Sequence, residues 1–301
     1  MSPRPGRKLV DFRLFAAFAA VLLLAAGCSE LRGRRKIREG NQLYREGRYG
    51  DAISAYRQAE QLIPGFWLLW LNEGLTCRQL LTPGGRGEGN DRAVACALAA
   101  FSQMKRLRPE DARGDQLYVQ TLFDADRFEE LARMYGERLA AHPDDPAALN
   151  GLIQVYTRAN QPEQALRWLE RRAAVAPHDV DAQLAVGTFV WSQLFQKGGG
   201  PEMAAFDPRP NPDKPKQKKT PPSSGLGDIV GERRAELADV GAKYLERALA
   251  LRPRHRDATI YLGLLERQKS FAYFAAPEKW QACVDAAERW RREAEKMSHG
   301  A

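Results

Sequence analysis

Residues 40–56 read GNQLYREGRYGDAISAY, and the spacing of small and large residues in this stretch returns along most of the chain. A proline, Pro64, follows the stretch. The small Ala52 stands twelve positions before that proline, and the large Tyr56 stands eight positions before it. Gly40 lies in the segment before them. This combination is typical of two antiparallel helices that pack closely, the second of which ends at a proline.

The proline that closes the pattern recurs at a nearly fixed period. Consecutive prolines are 34 residues apart at two steps, 45 apart (34 plus 11) at a third and 76 apart (34 plus 42) at a fourth. A fixed period with two insertions is the signature of a helical repeat array, a class of protein that mostly binds other proteins and rarely catalyses. The prolines are Pro64, Pro109, Pro143, Pro177 and Pro253.

Three columns of residues recur at fixed distances from these prolines. Two helices approach closely only where one of them presents a small residue, and a large residue fills the hole beside that contact. The columns therefore predict where paired helices touch. The small column holds Ala52, Ala97, Leu131, Ala165 and Gly241, the large column holds Tyr56, Phe101, Tyr135, Leu169 and Leu245, and the column of the preceding helix holds Gly40, Gly74, Val119, Ile153 and Gly187.

This pattern resembles the tetratricopeptide repeat (TPR), whose period and helix–turn–helix arrangement match it. The resemblance implies an all-α fold, a right-handed superhelical solenoid of about five to six TPR units with a C-terminal capping helix. The alternative is an all-α bundle with accidental periodicity, which the agreement of several columns disfavours. The repeats run over 33–66, 67–111, 112–145, 146–179 and 180–253, and a degenerate sixth begins near residue 254.

The chain divides into segments of different character. A capping helix is expected over 277–297, where Trp280, Val284 and Trp290 belong to one apolar face. The predicted segments are 1–27, a lipoprotein signal peptide; 28–39, a lipidated basic lead-in; 33–196, repeats one to four and the first helix of the fifth; 197–227, a Pro/Lys-rich disordered insertion; 228–276, the second helix of the fifth repeat and a degenerate sixth; and 277–297, the capping helix.

The N-terminus has the features of an export signal. A basic start precedes an apolar run, Leu14–Ala26, which is too short for a membrane span of roughly 20 residues. The run ends in Leu24-Ala25-Ala26-Gly27-Cys28, which resembles the lipobox of bacterial lipoproteins, although Ala25 stands where an aliphatic residue is more usual. The resemblance implies acylation of Cys28, with palmitate among the chains. The alternative is an ordinary cleaved signal with a chance cysteine.

An acylated Cys28 would be followed by Ser29, which weakly favours the outer membrane with the protein facing the periplasm. The inner membrane and the cell surface remain possible locations.

The precursor carries a net charge of +8, and part of that charge lies in the run from Arg32 to Arg38. This run is either a contact to anionic headgroups or a solvated lead-in. The insertion 197–227 is either a docking segment for a partner or cell-wall polymer, or tolerated length.

Three cysteines remain after Cys28. Cys77 and Cys96 fall on the two helices of one repeat and are the plausible disulfide pair; the alternative is a pair of buried thiols.

We find no catalytic constellation, so the chain is not expected to be an enzyme. No metal site is expected, since successive repeats hold the histidines His142, His178 and His255 apart. No cofactor is expected, and no nucleic acid either, because the protein is expected in the cell envelope and carries no recognition motif for nucleic acid.

In TPR arrays the first helices of the units line a concave groove. Carried onto this chain, that property places amides, arginines and aromatic residues in a groove that could hold an extended peptide. We therefore expect an adaptor or assembly factor of an envelope complex, such as a pilus or secretin, motility, barrel-assembly or export machinery; the alternative is a binding module for peptidoglycan or exported polysaccharide. The predicted groove residues are Asn41, Tyr44, Arg45, Arg78, Gln116, Gln120, Phe123, Asn150, Gln154, Arg158 and Trp191.

Overall fold

The computed structural model describes residues 29–197, 229 and 231–299, and within these ranges all regular structure is helical. The predicted all-α TPR-type fold is confirmed. Cys28, the signal peptide and residues 198–227 of the predicted insertion lie outside the described residues. The helices are α1 (29–45), α2 (Tyr49–Glu60), α3 (Trp67–Gln79), α4 (Glu88–Leu107), α5 (Arg113–Asp124), α6 (Phe128–Ala141), α7 (Pro146–Arg158), α8 (Pro162–Val175), α9 (Val180–Lys197), α10 (Gly231–Leu251), α11 (Arg256–Ser270) and α12 (Pro277–His299).

The chain forms two compact units, the first ending at Leu131 and the second beginning at Ala132. In the first unit α3 packs against α2 and α4, and α4 also packs against α5. In the second unit each helix from α7 to α11 packs against the next one along the chain, and α9 also packs against α11. Within each unit, helices that follow one another along the chain therefore pack together, as they do in stacked helical hairpins.

The residues around the periodic prolines explain where the second helices end. Because the proline ring clashes with the residue before it, that residue avoids helical dihedrals. Arg108, before Pro109, has φ −139° and ψ 69°, and Ala176, before Pro177, has φ −118° and ψ 67°. The helices α4 and α8 therefore stop at Leu107 and Val175, just short of their prolines.

The hairpins close on contacts between glycine and a large side chain. A Cβ added to Gly40 of α1 would lie 2.5 Å from Cε1 of Tyr56 on α2, and the same holds for Gly74 on α3 and Phe101 on α4. At Gly187 of α9 an added Cβ would lie 2.3 Å from Leu245 of α10. The rings of Tyr56 and Phe101 are completely buried. Each large residue thus lies against bare backbone, as the columns predict.

The third repeat uses its large residue differently. An added Cβ at Gly151 of α7 would lie 2.4 Å from Cζ of Tyr135, so the tyrosine lies on the first helix of the following repeat. In the third repeat the position equivalent to Gly40 is Val119, whose branched side chain leaves no space for an aromatic ring against the helix backbone. The fourth repeat has Ile153 at that position and fills the space with the aliphatic Leu169.

The turns between first and second helices share one backbone conformation. Gly47, Asp126 and Asn160 have φ of 74°, 54° and 53°, the left-handed region that Gly, Asn and Asp tolerate best. Asn160 lies 34 residues after Asp126, so the conformation follows the repeat period. Glycine, aspartate and asparagine at this position are a recognisable turn signal in the sequence.

The N-terminal end of the described chain is more regular than the predicted lead-in suggests, and the C-terminal end is a helix. Residues 29–39, predicted as a lead-in, form the first part of α1 because Gly33 and Ile37 are buried on one face. At the other end α12, predicted as a capping helix, packs along α11. An added Cβ at Gly263 of α11 would lie 3.2 Å from Cβ of Trp290. None of the described helices is long and apolar enough to cross a membrane.

A charged side chain is enclosed in the hairpin of α3 and α4. Glu73 on α3 is 5% exposed, and its nearest cation is Arg57, whose Nε lies 3.9 Å from Oε1 of Glu73. Burial raises the pKa of Glu73 to about 7, and the nearby Glu60 adds to that shift. One helical turn further along, the sulfur of Cys77 is bonded to that of Cys96 on α4.

The glycine contacts predict a contrast between two Gly-to-Ala substitutions. Gly40→Ala should lower the free energy of unfolding by about 1–3 kcal/mol, because the buried Tyr56 ring must move. Gly136→Ala on α6 should raise it by about 0.5–1 kcal/mol, because no heavy atom lies within 4 Å of the added Cβ and alanine favours helix. Urea unfolding followed by circular dichroism measures both, and equal effects would contradict the proposed contact.

The buried carboxylate predicts a pH dependence of stability in the disulfide-bonded protein. The folded state binds the Glu73 proton more tightly than the unfolded state, whose pKa is near 4.5. The stabilisation from that proton is complete below pH 4.5 and is lost as the pH rises through about 7, a loss on the order of 3 kcal/mol. Glu73→Gln carries no titrating group, so the difference in unfolding free energy between it and the wild type should change by that amount. A constant difference between pH 4.5 and 8 would refute this.

Candidate partner-binding face

The first helices of the first unit are joined by hydrogen bonds between polar side chains. Asn72 on α3 donates from Nδ2 to Oδ1 of Asn41 on α1, at 2.9 Å. The Tyr56 hydroxyl donates to the same oxygen at 2.7 Å. Burial raises the pKa of Tyr56, so this phenol stays protonated and serves as a donor. Further along, Gln79 donates to the Tyr44 hydroxyl at 3.2 Å.

The same polar row continues from α3 to α5. The Arg78 guanidinium donates from Nη1 to Oε1 of Gln120 at 3.3 Å and pairs through Nη2 with Oδ2 of Asp124 at 2.6 Å. The side chains of Arg78 and Asp124 are only 18% and 28% exposed, so solvent screens this pair less than it screens a surface pair. We call these residues the first-helix polar row: Asn41, Tyr44, Asn72, Arg78, Gln79, Gln120 and Asp124.

The predicted groove residues of the first unit fall into three groups according to their contacts and burial. It brings Asn41, Tyr44, Arg78 and Gln120 together in the first-helix polar row. Arg45 and Gln116 are exposed on α1 and α5. Phe123 is a correction: it is 6% exposed and its ring centroid lies 6.4 Å from that of Phe128, so it belongs to the core and cannot anchor a partner.

Three members of the polar row were missed by the sequence analysis. Asn72 lies 31 residues after Asn41, and Gln79 lies 35 residues after Tyr44, both close to one repeat period. Asp124 lies one helical turn after Gln120 and therefore on the same face of α5. The repeat period was therefore a usable signal for polar partners as well as for the glycine columns.

In the second unit the predicted groove residues fall on α7 and α9. Asn150, Gln154 and Arg158 are exposed at successive four-residue steps along α7, which places them on one face. Trp191 on α9 is half-buried, with its ring centroid 5.2 Å from that of Phe195 and 5.3 Å from that of Tyr261. These aromatic contacts hold the indole in place and leave part of it accessible.

The second unit also carries an apolar cleft that the sequence analysis missed. Its volume is about 620 Å³, and it lies between α11 and α12. Leu264, which lines the cleft, is 36% exposed. The floor is formed by Ile260, Gly263, Leu264, Val284, Ala287 and Ala294, and the charged rim by Arg256, Arg267, Glu288, Arg291 and Glu295.

Comparison with known proteins supports the repeat assignment. The tetratricopeptide repeat family model matches residues 122–187, which span the turn after α5 and the helices up to the middle of α9. The cellulose synthase operon protein C of Pseudomonas fluorescens strain SBW25 is 29% identical over 136 residues, which make up 43% of this chain. The match spans about a tenth (10%) of that relative's length.

Two solved structures align with the chain. YrrB, described as a TPR protein with an unusual peptide-binding site, is 16% identical, with coverage of 81% of this chain and 96% of its own and a TM-score of 0.35. MamA from Desulfovibrio magneticus RS-1 is 14% identical, with coverage of 54% and 85% and a TM-score of 0.34. The family match places a tetratricopeptide-type repeat at residues 122–187, and the helical hairpins on either side have the fold expected of such repeats, which mediate protein–protein interactions.

The polar row predicts that Arg78→Ala destabilises the first unit. The substitution leaves the Asp124 carboxylate partly buried without its cation, which should cost about 1–3 kcal/mol of unfolding free energy. The matched control is Arg92→Ala on α4, whose pair with Glu88 is exposed at 73% and 83% and should contribute less than about 0.5 kcal/mol. Urea titrations of both variants decide the matter; the same midpoint for both would contradict a supporting role for Arg78.

Proposed function

We propose that this protein is an adaptor or assembly factor that binds protein partners on its first helices as part of a cell-envelope complex. The proposal has no catalytic step. The observation that carries it is the first-helix polar row. Amide groups both donate and accept hydrogen bonds, and a guanidinium binds carboxylates, so this row matches the backbone and acidic groups of an extended peptide.

The hydrogen bonds within the row favour binding. Asn41 is held by Asn72 and Tyr56, and Arg78 is held by Gln120 and Asp124. Side chains that are already ordered lose less conformational entropy when a partner binds. Arg45 and Gln116 are exposed beside them and are the positions where a partner would gain new contacts.

Polysaccharide export is the favoured pathway for such an adaptor. The support is the similarity to a protein named cellulose synthase operon protein C, which covers 43% of this chain. In this proposal the chain organises other proteins of an export complex, as repeat arrays do through their extended surfaces. The pilus, secretin, motility and barrel-assembly machineries are the alternatives that partner identification would distinguish.

The proposed location is the outer membrane, facing the periplasm, with acyl chains on Cys28 as the anchor. The lipobox-like stretch ending at Cys28 supports it. At about 0.8 kcal/mol per buried methylene, two or more chains anchor a protein stably. Residues 29–45 follow as a helix, and Arg35 and Arg38 are exposed on it, so cations lie next to the proposed anchor.

A second candidate is direct binding of peptidoglycan or exported polysaccharide. The name of the relative and the composition of residues 197–227, rich in proline and lysine, favour it. Sedimentation with purified cell wall or with the isolated polysaccharide tests it. Retention that is lost when Gly198–Gly225 are deleted would support this candidate, and absence of retention would end it.

The adaptor proposal predicts which variants lose their partner. The protein should be retrieved with a stoichiometric envelope protein from lightly crosslinked, detergent-solubilised envelopes. Because Arg45 and Gln116 are exposed, Arg45→Glu combined with Gln116→Ala should reduce that partner at least about tenfold without unfolding the protein. Quantitative mass spectrometry of the captured material measures the change.

Two further variants serve as controls. Arg92→Glu reverses an exposed charge on the second helix α4 and should leave capture unchanged. Cys28→Ala should move the protein from the membrane fraction to the soluble fraction. Membrane retention of Cys28→Ala would refute the anchor. Equal capture of the partner by the wild type and by the Arg45→Glu, Gln116→Ala variant would refute the binding face.

A further inference from the structure

Three potential metal ligands meet inside the hairpin of α3 and α4. Glu73 and Cys77 are one turn apart on α3 and so lie on the same face, and Cys96 faces them from α4. A carboxylate oxygen of Glu73 and the two sulfur atoms all lie within 4.8 Å of one another. Among the described residues this is the only such group of histidine, cysteine and acidic side chains.

The Glu73 carboxylate is not satisfied by the groups around it. Its Oε2 is buried and has no hydrogen-bond partner among the described residues. Its Oε1 lies 3.9 Å from Nε of Arg57, a distance too long for a hydrogen bond, and the Arg57 side chain is 64% exposed. Glu60 on α2 adds negative charge nearby, and the disulfide is neutral. Burying such an oxygen is unfavourable unless a proton or a cation compensates for it.

A cation explains this arrangement better than a structural carboxylate does. A leucine or methionine at position 73 would fill the same space without a desolvation cost, whereas a carboxylate directed at two sulfur atoms is a ligand set. Thiolates are soft ligands that select ions of the zinc type over magnesium and calcium. Cys77 is completely buried and Cys96 is partly exposed, so ions and reductants approach from the side of Cys96.

We propose that Glu73, Cys77 and Cys96 form a binding site for a thiophilic divalent cation such as Zn²⁺, which opens when the disulfide is reduced. The sequence analysis expected no metal site, because it considered the histidines and assigned the two cysteines only to a disulfide or to buried thiols. The disulfide closes the site by joining the two sulfur atoms that the metal would need.

The exchange between the two states balances. A phosphine or dithiol reductant supplies two electrons, the S–S bond breaks, and each sulfur takes up one proton. The cation then forms two S–M bonds and one O–M bond, and both thiol protons are released, together with that of Glu73 where it is protonated. In a tetrahedral site with Zn–S bonds of about 2.3 Å, the sulfur atoms are roughly 3.8 Å apart.

Both states join the same two helices. The disulfide links α3 to α4 covalently, and the metal would link them through Cys77 and Glu73 on one side and Cys96 on the other. The hairpin therefore keeps its crosslink in oxidising and in reducing surroundings. This property distinguishes the site from a simple reducible disulfide, which loses its crosslink on reduction.

Cadmium titration of the full chain tests the proposal. The background carries Cys28→Ser and Cys283→Ser, which leave Cys77 and Cys96 as its cysteines, and a phosphine is the reductant because dithiols chelate metals. The reduced protein should bind one Cd²⁺ per chain, detected by the ultraviolet thiolate-to-cadmium charge-transfer band. Competition with a chromogenic chelator should show the same stoichiometry for Zn²⁺.

The variants separate the ligands from structural effects. Cys77→Ser or Cys96→Ser should abolish the band, and Glu73→Gln, which keeps the shape of the side chain, should weaken Cd²⁺ binding at least about tenfold. Glu88→Gln, which removes an exposed carboxylate at the start of α4, is the control and should leave binding unchanged. Circular dichroism verifies that each variant is folded.

Three outcomes would overturn the proposal. They are the absence of a stoichiometric band in the reduced, folded protein, equal Cd²⁺ binding by the oxidised protein, and equal affinity of Glu73→Gln and the wild type. The last result would leave a two-cysteine site and remove the carboxylate from it. None of these outcomes bears on the proposed adaptor function, which depends on other residues.

Discussion

The close contact between a glycine on a first helix and a large side chain on a second helix is the constraint on which three of the hairpins depend. At Gly40, Gly74 and Gly187 there is no room for even a methyl group. Contacts this short bring two helix backbones together and bury the ring or leucine completely, which contributes about 1.5–3 kcal/mol per side chain. The neighbouring small column, with Ala52, Ala97 and Ala165 fully buried, is required by the same closeness.

This constraint also explains why the repeats tolerate insertions. Both insertions fall between the first and second helix of a hairpin, at residues 80–87 and 198–230. The cost of closing a longer loop grows only slowly with its length, so a few good contacts can hold the two helices together. Gly187 and Leu245 meet on either side of the longer insertion as closely as Gly40 and Tyr56 meet across a short turn.

Polar groups in the first unit lie in two different settings. The first-helix polar row connects α1, α3 and α5 at their surface, where water remains close and binding can replace it. Glu73 is enclosed in the α3–α4 hairpin next to a pair of sulfur atoms. A surface row of satisfied side chains is a platform for a partner, whereas a buried carboxylate without a hydrogen-bond partner on one oxygen is suited to a small cation.

The sequence by itself determined the hairpins, their period and the residues of the glycine contacts, because these follow from spacing along one chain and from the size of single residues. It also placed Asn41, Tyr44, Arg78 and Gln120 on the first helices. Only the tertiary structure decided that Phe123 is a core residue, that Tyr135 packs on Gly151, and that Glu73 joins the cysteine pair. These three facts depend on how one helix is rotated about its axis relative to its neighbour. Periodicity leaves that rotation open, because it determines which residues share a face of the helix and not the angle at which that face meets the next helix.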